Sequence, residues 1–135
     1  MATNYGEVAP FCIPVMAAGT IGIYTVVKLT TAVASGPAVL VCADEHDAPL
    51  GIAQHAAVDG DQLSVAISGV SLVQSNGAYA VGDTLMVAAS TGKVDTGTES
   101  AGDTYWAIGR ALELAGAGSE YHAVAIDITN IQVDD

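Results

Sequence analysis

Basic residues are the scarcest feature of this 135-residue chain. Lys28, Lys93 and Arg110 stand against fifteen acidic residues, which gives a formal net charge of −12. A protein that binds DNA or RNA needs a basic surface to neutralise phosphates. The composition therefore argues against direct nucleic-acid binding, and the acidic excess is expected to keep free copies apart in solution.

Charged residues of both signs are also few. They make up 13% of the chain, against about 25% in an ordinary soluble domain, while hydrophobic residues make up 51%. Such a composition suggests that part of the surface mates with another protein surface. Aromatic residues are only 5%, which is sparse for a surface that stacks on sugars.

Cysteine is nearly absent, and no stretch reads as a membrane segment. Cys12 and Cys42 are too few for a disulfide framework. They are expected to be small buried hydrophobes in a reducing compartment, although a single bridge between them remains open. Residues 11–29 are the most apolar run, but they are interrupted by Pro14 and Lys28 and lack a preceding basic region. Buried strands are therefore expected there, not a span or a signal peptide.

The chain does contain stretches in which apolar and polar residues alternate. In residues 62–68, Leu63, Val65 and Ile67 share one face of an extended chain. Glycine–aspartate steps punctuate this and similar runs. The predicted strands cover residues 21–30, 37–42, 50–54, 62–68, 70–74, 84–89, a short piece around 94, 105–114 and 121–129. About nine short strands without a long helix predict an all-β domain, either a small antiparallel β-barrel or tulip-like module or a sandwich.

The beginning of the chain has a different character. Residues 1–20 are predicted to be an extended N-terminal arm and first edge segment, and residues 21–135 a single β domain. Pro14 confines its segment to an edge or an unpaired path, because proline cannot donate a ladder hydrogen bond. Whether the arm lies on a neighbouring subunit or on its own stays open at this point. The tail after residue 129 is expected to fray.

Residues of chemically reactive types do not form a recognisable active site. The sequence has no Gly-x-Ser-x-Gly elbow, phosphate-binding loop or dinucleotide fingerprint. One run consists of residue types that can bind metal ions: Asp44, Glu45, His46 and Asp47. The two other histidines, His55 and His122, lie elsewhere in the sequence. Four adjacent residues on one loop are not expected to point at one ion, so the run is interpreted as a solvated acidic turn. We therefore predict no catalytic, cofactor or metal site, and a metal-dependent enzyme using His55 with the loop is the least favoured hypothesis.

A series of short motifs resembles a known family. The motifs are Gly51-Ile52-Ala53, residues 60–70 (GDQLSVAISGV), residues 80–85 (AVGDTL), Gly92-Lys93-Val94 and Ile108-Gly109-Arg110-Ala111, followed by a valine-rich last strand. In this order they resemble the capsid decoration, or cement, proteins of tailed phages. The resemblance covers roughly residues 36–128.

The resemblance implies a structural role. Such proteins are small β modules that bind the outside of a mature icosahedral shell, often as trimers. It implies a virion protein made in the host cytoplasm that bridges major capsid subunits as a homotrimer, with no nucleic-acid or membrane partner. The expected contact residues are apolar residues of the arm and one possible aromatic anchor: Tyr5, Val8, Phe11, Ile13 and Trp106. For Trp106, packing in the core is the more common role. The alternative function is a carbohydrate- or receptor-binding β module of a virion or cell surface.

Overall fold

The computed structural model describes residues 10–30, 36–88, 90–97 and 102–133. Every regular element in these ranges is a strand, so the all-β prediction is confirmed. The nine strands are β1 (Phe11–Ala17), β2 (Val26–Thr30), β3 (Ala38–Val41), β4 (Gly51–Ala53), β5 (Gln62–Gln74), β6 (Thr84–Val87), β7 (Val94–Thr96), β8 (Thr104–Ala111) and β9 (Tyr121–Gln132). No described segment forms a helix that could cross a membrane.

The strands form one sheet that closes partly on itself. Their order is β1-β3-β2-β4-β5-β9-β8-β6-β7, and β1 pairs additionally with β5. This extra pairing joins β1, β3, β2, β4 and β5 into a ring. All pairings are antiparallel except that between β1 and β3, which is parallel. Closure leaves the ring strands with few free edges, and exposed edges are what invite non-native pairing.

The longest strand, β5, links the ring to the rest of the sheet. Its first part pairs with β1 and β4, whereas residues 69–74 pair with β9. Gly69 stands where the partners change and has a φ of 91°, a conformation that glycine adopts without steric cost. The prediction of two strands, 62–68 and 70–74, is therefore wrong, because this glycine bends a continuous strand without ending it.

Several predicted strand boundaries also shift. The strand predicted from residue 21 begins only at Val26, because Tyr24 adopts a left-handed backbone with φ 58°. The tail expected to fray after residue 129 instead extends β9 to Gln132, which pairs with Thr104 of β8. The predicted interruption at Gly109 is confirmed as a register shift within the β8–β9 pairing.

Pro14 lies at the kind of position that its chemistry requires. In β1 it pairs with Ser64 of β5, while the parallel pairing with β3 begins only at Met16. Its other side is therefore not part of a ladder, and the residue is exposed. The expectation of an edge position for this proline is confirmed, although the segment itself is built into the ring.

Two main hydrophobic clusters form the core. One is supplied by the ring and its loops: Val15, Ala17, Ile21, Val27, Val39, Ala53, Ala57, Leu63 and Val65. The other joins ring residues to the remaining strands: Val26, Cys42, Ile52, Val73, Tyr79, Leu85, Val87, Val94, Ile108, Ala111, Ala115 and Val124. Adjacent residues such as Val26 and Val27 belong to different clusters, since successive side chains of a strand point to opposite faces. Strand β4 and the first two residues of β2 are thus buried on both faces, which explains why small or apolar residues occupy these positions.

Candidate contact surfaces

Two of the contact residues predicted from the sequence lie in β1. Phe11 pairs with Ser68 at the start of the strand and is 62% exposed. Ile13 is half-buried and packs against the ring cluster. Phe11 is thus free for a partner, whereas Ile13 also contributes to the fold. Tyr5 and Val8 lie outside the described residues.

Trp106 occupies a different part of the molecule. It lies in β8, is half-buried, and is not a member of the core clusters formed by the described residues. Its backbone N–H donates to the carbonyl oxygen of Glu45 at 2.8 Å, which ties β8 to the loop after β3. Because β1 and β8 do not pair, Phe11 and Trp106 are not brought together by a shared strand ladder.

Two neighbouring loops present apolar side chains that the sequence analysis missed. Val81 is 63% exposed, Leu112 40% and Leu114 61%. Tyr79 and Ala115 exchange two backbone hydrogen bonds of 3.0 Å, which place the loop before β6 beside the segment after β8. We call Val81, Leu112 and Leu114 the loop-pair surface. An exposed apolar surface of this kind is typical of a protein contact site.

A histidine held by two glutamates fixes the connection between β8 and β9. The Nε2 atom of His122 lies 2.8 Å from Glu120 Oε1, and its Nδ1 atom lies 3.6 Å from Glu113 Oε1. The backbone N–H groups of Gly116 and Ala123 donate to the same two carboxylates. The hydrogen bond from His122 and then that from Gly116 lower the pKa of Glu120. These contacts hold the turn that follows Leu112 and Leu114.

No sequence signal distinguished these leucines from core residues. Leu112 and Leu114 continue the alternation of a strand that was predicted to reach residue 114, whereas β8 ends at Ala111. After Ala111 the chain turns, and Ala115 pairs with Tyr79 of the loop before β6. The alanine–glycine run beginning at Ala115 was the one available hint that a turn was near.

The acidic loop between β3 and β4 brings part of its run together. Asp44, Glu45 and His46 bring one potential ligand atom each to within 4.8 Å of one another, so three of the four residues converge, but not all four. Asp47 does point elsewhere. Its carboxylate accepts hydrogen bonds from Lys28 Nζ at 2.9 Å and from the Ala43 N–H at 2.8 Å.

Of the other two histidines, neither adds a ligand to this loop among the described contacts. His55 Nε2 accepts a hydrogen bond from the Ser64 N–H at 3.3 Å, and His122 binds Glu113 and Glu120. Exposed neighbouring acidic groups are common on loops, and their proximity alone does not define a metal site.

Both cysteines are free thiols. Cys42 is buried and Cys12 is half-buried, which resolves the open alternative of a bridge between them. Burial raises the pKa of the Cys42 thiol to about 12. A thiol in that state is protonated at neutral pH and behaves as a small core hydrophobe, since the thiolate is the nucleophilic form.

A known family matches most of this architecture. The model of the phage cement protein family matches residues 16–128, which span β1 to β9. The chain belongs to the phage cement protein family. Its fold is similar to the crystal structure of the head fiber gp8.5 N base in bacteriophage phi29, with a TM-score of 0.70 and 16% sequence identity. That similarity covers 92% of this chain and 99% of the phi29 chain. None of the curated proteins compared with the chain matches it significantly.

Proposed function

We propose that this cement protein binds the exterior of a mature icosahedral capsid as a homotrimer and stabilises it by bridging major capsid subunits. The family match over residues 16–128 carries the proposal. The site of action is the virion surface after synthesis in the host cytoplasm. The role requires no catalytic group, cofactor or metal, and no nucleic-acid or membrane partner.

The architecture suits this role physically. A protein that binds only the mature shell stabilises that state by mass action. Such binding favours a rigid unit, because little conformational entropy is then lost on attachment. The ring closed by β1 and β5 and the turn held by His122 supply such rigidity.

Two sets of residues are proposed to supply the apolar contacts. One comprises Tyr5 and Val8 with Phe11 and Ile13, and the other is the exposed loop-pair surface. Trp106 is the proposed aromatic anchor between copies or with the shell, because half-buried tryptophans often contribute strongly to binding. The surface outside these regions carries the acidic excess that keeps unattached copies soluble.

Two measurements on the purified protein test the proposal. Light scattering at micromolar concentration should give three times the 13.5 kDa chain mass. Sedimentation should show saturable attachment to purified mature shells. The shells that carry the protein should then disrupt at a higher temperature than bare shells. A 13.5 kDa particle that does not bind shells would contradict both parts of the proposal.

A further inference from the structure

A small pocket with a largely apolar surface and several polar side chains opens between the turn before β2, the end of β5 and the hairpin that joins β6 to β7. Its volume is about 280 Å³. Its polar lining consists of hydroxyl, amide and amine side chains: Thr20, Thr25, Gln74, Ser90, Thr91 and Lys93. None of these residues was singled out by the sequence analysis as part of a site.

Backbone contacts hold the pocket walls in place. The Val26 N–H donates to the carbonyl oxygen of Gly92 at 2.9 Å, which fastens the hairpin to β2. Gly92 has a φ of 76°, and a Cβ there would lie 2.7 Å from the Val26 carbonyl oxygen. On the opposite wall, Gln74 donates from its side chain to Ile23 at 3.2 Å and from its backbone to Tyr24 at 2.8 Å. The pocket therefore exists before any ligand binds.

Two neighbouring residues have unfavourable backbone conformations. Tyr24 has a φ of 58° and Ser119, which accepts a hydrogen bond from Lys93, has a φ of 61°. Such conformations cost energy in residues other than glycine and are enriched at binding sites. Both occur beside the pocket, and among the described residues no other non-glycine residue has a positive φ.

The charge of the lining contrasts with that of the chain. Acidic residues outnumber basic ones fifteen to three in the sequence, yet no carboxylate is found among the described lining residues. Lys28 pairs with Asp47 at 2.9 Å, but Lys93 has no ion pair within the described ranges. Its Nζ donates to Ser119 Oγ at 3.0 Å, which leaves two N–H groups for another acceptor.

We infer that this pocket binds a carboxylate carried on a short aliphatic chain. The free N–H groups of Lys93 and the hydroxyls of Ser90 and Thr91 are the donors for the carboxylate, a charge-assisted arrangement that is stronger than neutral hydrogen bonds. Val41 lines the same pocket and offers an apolar wall to the methylene groups. The chemistry fits an acidic protein side chain or an acidic sugar, and it goes beyond the attachment proposed above.

The test is an NMR titration of the intact purified protein with acetate, with sodium chloride at the same ionic strength as the reference. Acetate should cause saturable shifts of the backbone amides of Gly22, Gln74 and Gly92, and chloride should not. N-acetylglutamate and glucuronate are titrated next. Tighter binding of the former supports the site with a protein side chain as the source, and tighter binding of the latter supports it with an acidic sugar.

Variants that remove one positive charge test whether Lys93 itself binds the carboxylate. Lys93→Gln should weaken acetate binding about tenfold or more, because it removes a hydrogen bond to a charged group. Arg110→Gln removes the same charge from an exposed position on β8 and should leave binding unchanged. Lys93→Met, which keeps the aliphatic stem, provides a second variant if Lys93→Gln perturbs the hydroxyl network.

Several outcomes would overturn the inference. These are shifts that chloride reproduces, equal affinities for wild type and both Lys93 variants, or equal weakening by Arg110→Gln. The titration uses no shells and does not depend on oligomeric state. Its failure is therefore distinct from a failure of the proposed attachment.

Discussion

At the residue scale, close backbone approach explains why particular glycines are needed. Gly51 lies in β4 opposite Val27, and a Cβ at this position would meet the carbonyl oxygen of Ala66 in β5. Because a carbonyl in a strand ladder cannot move aside without breaking hydrogen bonds, the strands can pack this closely only around a glycine.

The substitution Gly51→Ala should therefore destabilise the fold by about 1–3 kcal/mol, the usual cost of overpacking. Urea unfolding followed by circular dichroism measures the change. Gly116→Ala is the matched control, because a Cβ there would be 3.9 Å from the nearest atom, Glu120 Oε2. It should stay within about 0.5 kcal/mol of wild type. Equal stability of the Gly51 variant and the control would show that β4 and β5 are farther apart.

The Asp47 carboxylate gives a prediction about pH. The Ala43 N–H and then Lys28 lower its pKa below the ordinary value of 3.8. A carboxyl group whose pKa is lower in the folded state stabilises the fold fully above its unfolded pKa, and this contribution is lost as the pH falls through the folded value. Asp47→Asn should thus cost about 1 kcal/mol at pH 7, with the difference beginning to shrink near the ordinary carboxyl pKa of about 4 and vanishing only below the lowered folded pKa.

Thermal unfolding between pH 2.5 and 7 measures that difference. Asp59→Asn is the control, since Asp59 is exposed and makes no side-chain hydrogen bond among the described contacts. Its effect on stability should be small and similar at every pH. A cost for Asp47→Asn that persists unchanged at pH 2.5 would contradict the assignment of the ion pair.

At the element scale, the end of β5 depends on a buried hydroxyl. Ser75 is fully buried, and its Oγ donates to the Ala117 carbonyl at 2.7 Å and accepts from the Glu120 N–H at 3.0 Å. These bonds attach the turn between β8 and β9 to β5. One side chain therefore satisfies two backbone groups of a turn that has no ladder of its own.

Ser75→Ala should leave both backbone groups without this partner and reduce stability by about 1–3 kcal/mol. Ser68→Ala, at an exposed position within β5, should be nearly neutral. In the Ser75 variant, hydrogen exchange should be faster in the turn at residues 116–120, whereas exchange in the ring should not change. A stability loss spread evenly over both halves of the sheet would argue against a local role for the hydroxyl.

At the scale of the whole molecule, the proposed attachment separates binding from folding. The chain carries a net charge of −12, so copies repel one another until apolar contacts and a specific partner outweigh the repulsion. Among the described residues, the ring core is supplied by residues from Val15 onward, with Ile13 packed against it. Removal of residues 1–10 therefore deletes none of the residues that form this core.

Removing residues 1–10 should weaken attachment to shells about tenfold or more, equivalent to about 1.4 kcal/mol, while the midpoint of thermal unfolding changes little. Co-sedimentation with shells and calorimetry of the free protein measure the two quantities. Removal of residues 134–135 serves as the control truncation and should affect neither. A fall in thermal stability of the same size as the loss of attachment would place the segment in the fold of its own subunit.

Much of this molecule could be predicted from local patterns. Alternation in residues 62–68 and the glycine–aspartate steps revealed the strand-rich class, and the order of short motifs indicated the family. The missed features were those set by distant contacts. Leu112 and Leu114 had the spacing of a strand, but only the pairing of Tyr79 with Ala115 shows that they are exposed on a loop.

The sequence by itself determined the all-β class, the approximate number of strands and the shortage of basic groups, because each of these depends on neighbouring residues or on composition. The tertiary structure alone decided that β1 closes a ring on β5, that β5 is one bent strand, and that Lys93 lines a pocket with no acid among its described lining residues. The physical reason is that alternation along the chain tells which face of a strand a side chain occupies. The residues that pair with that strand, in contrast, can lie some 50 positions away in the sequence.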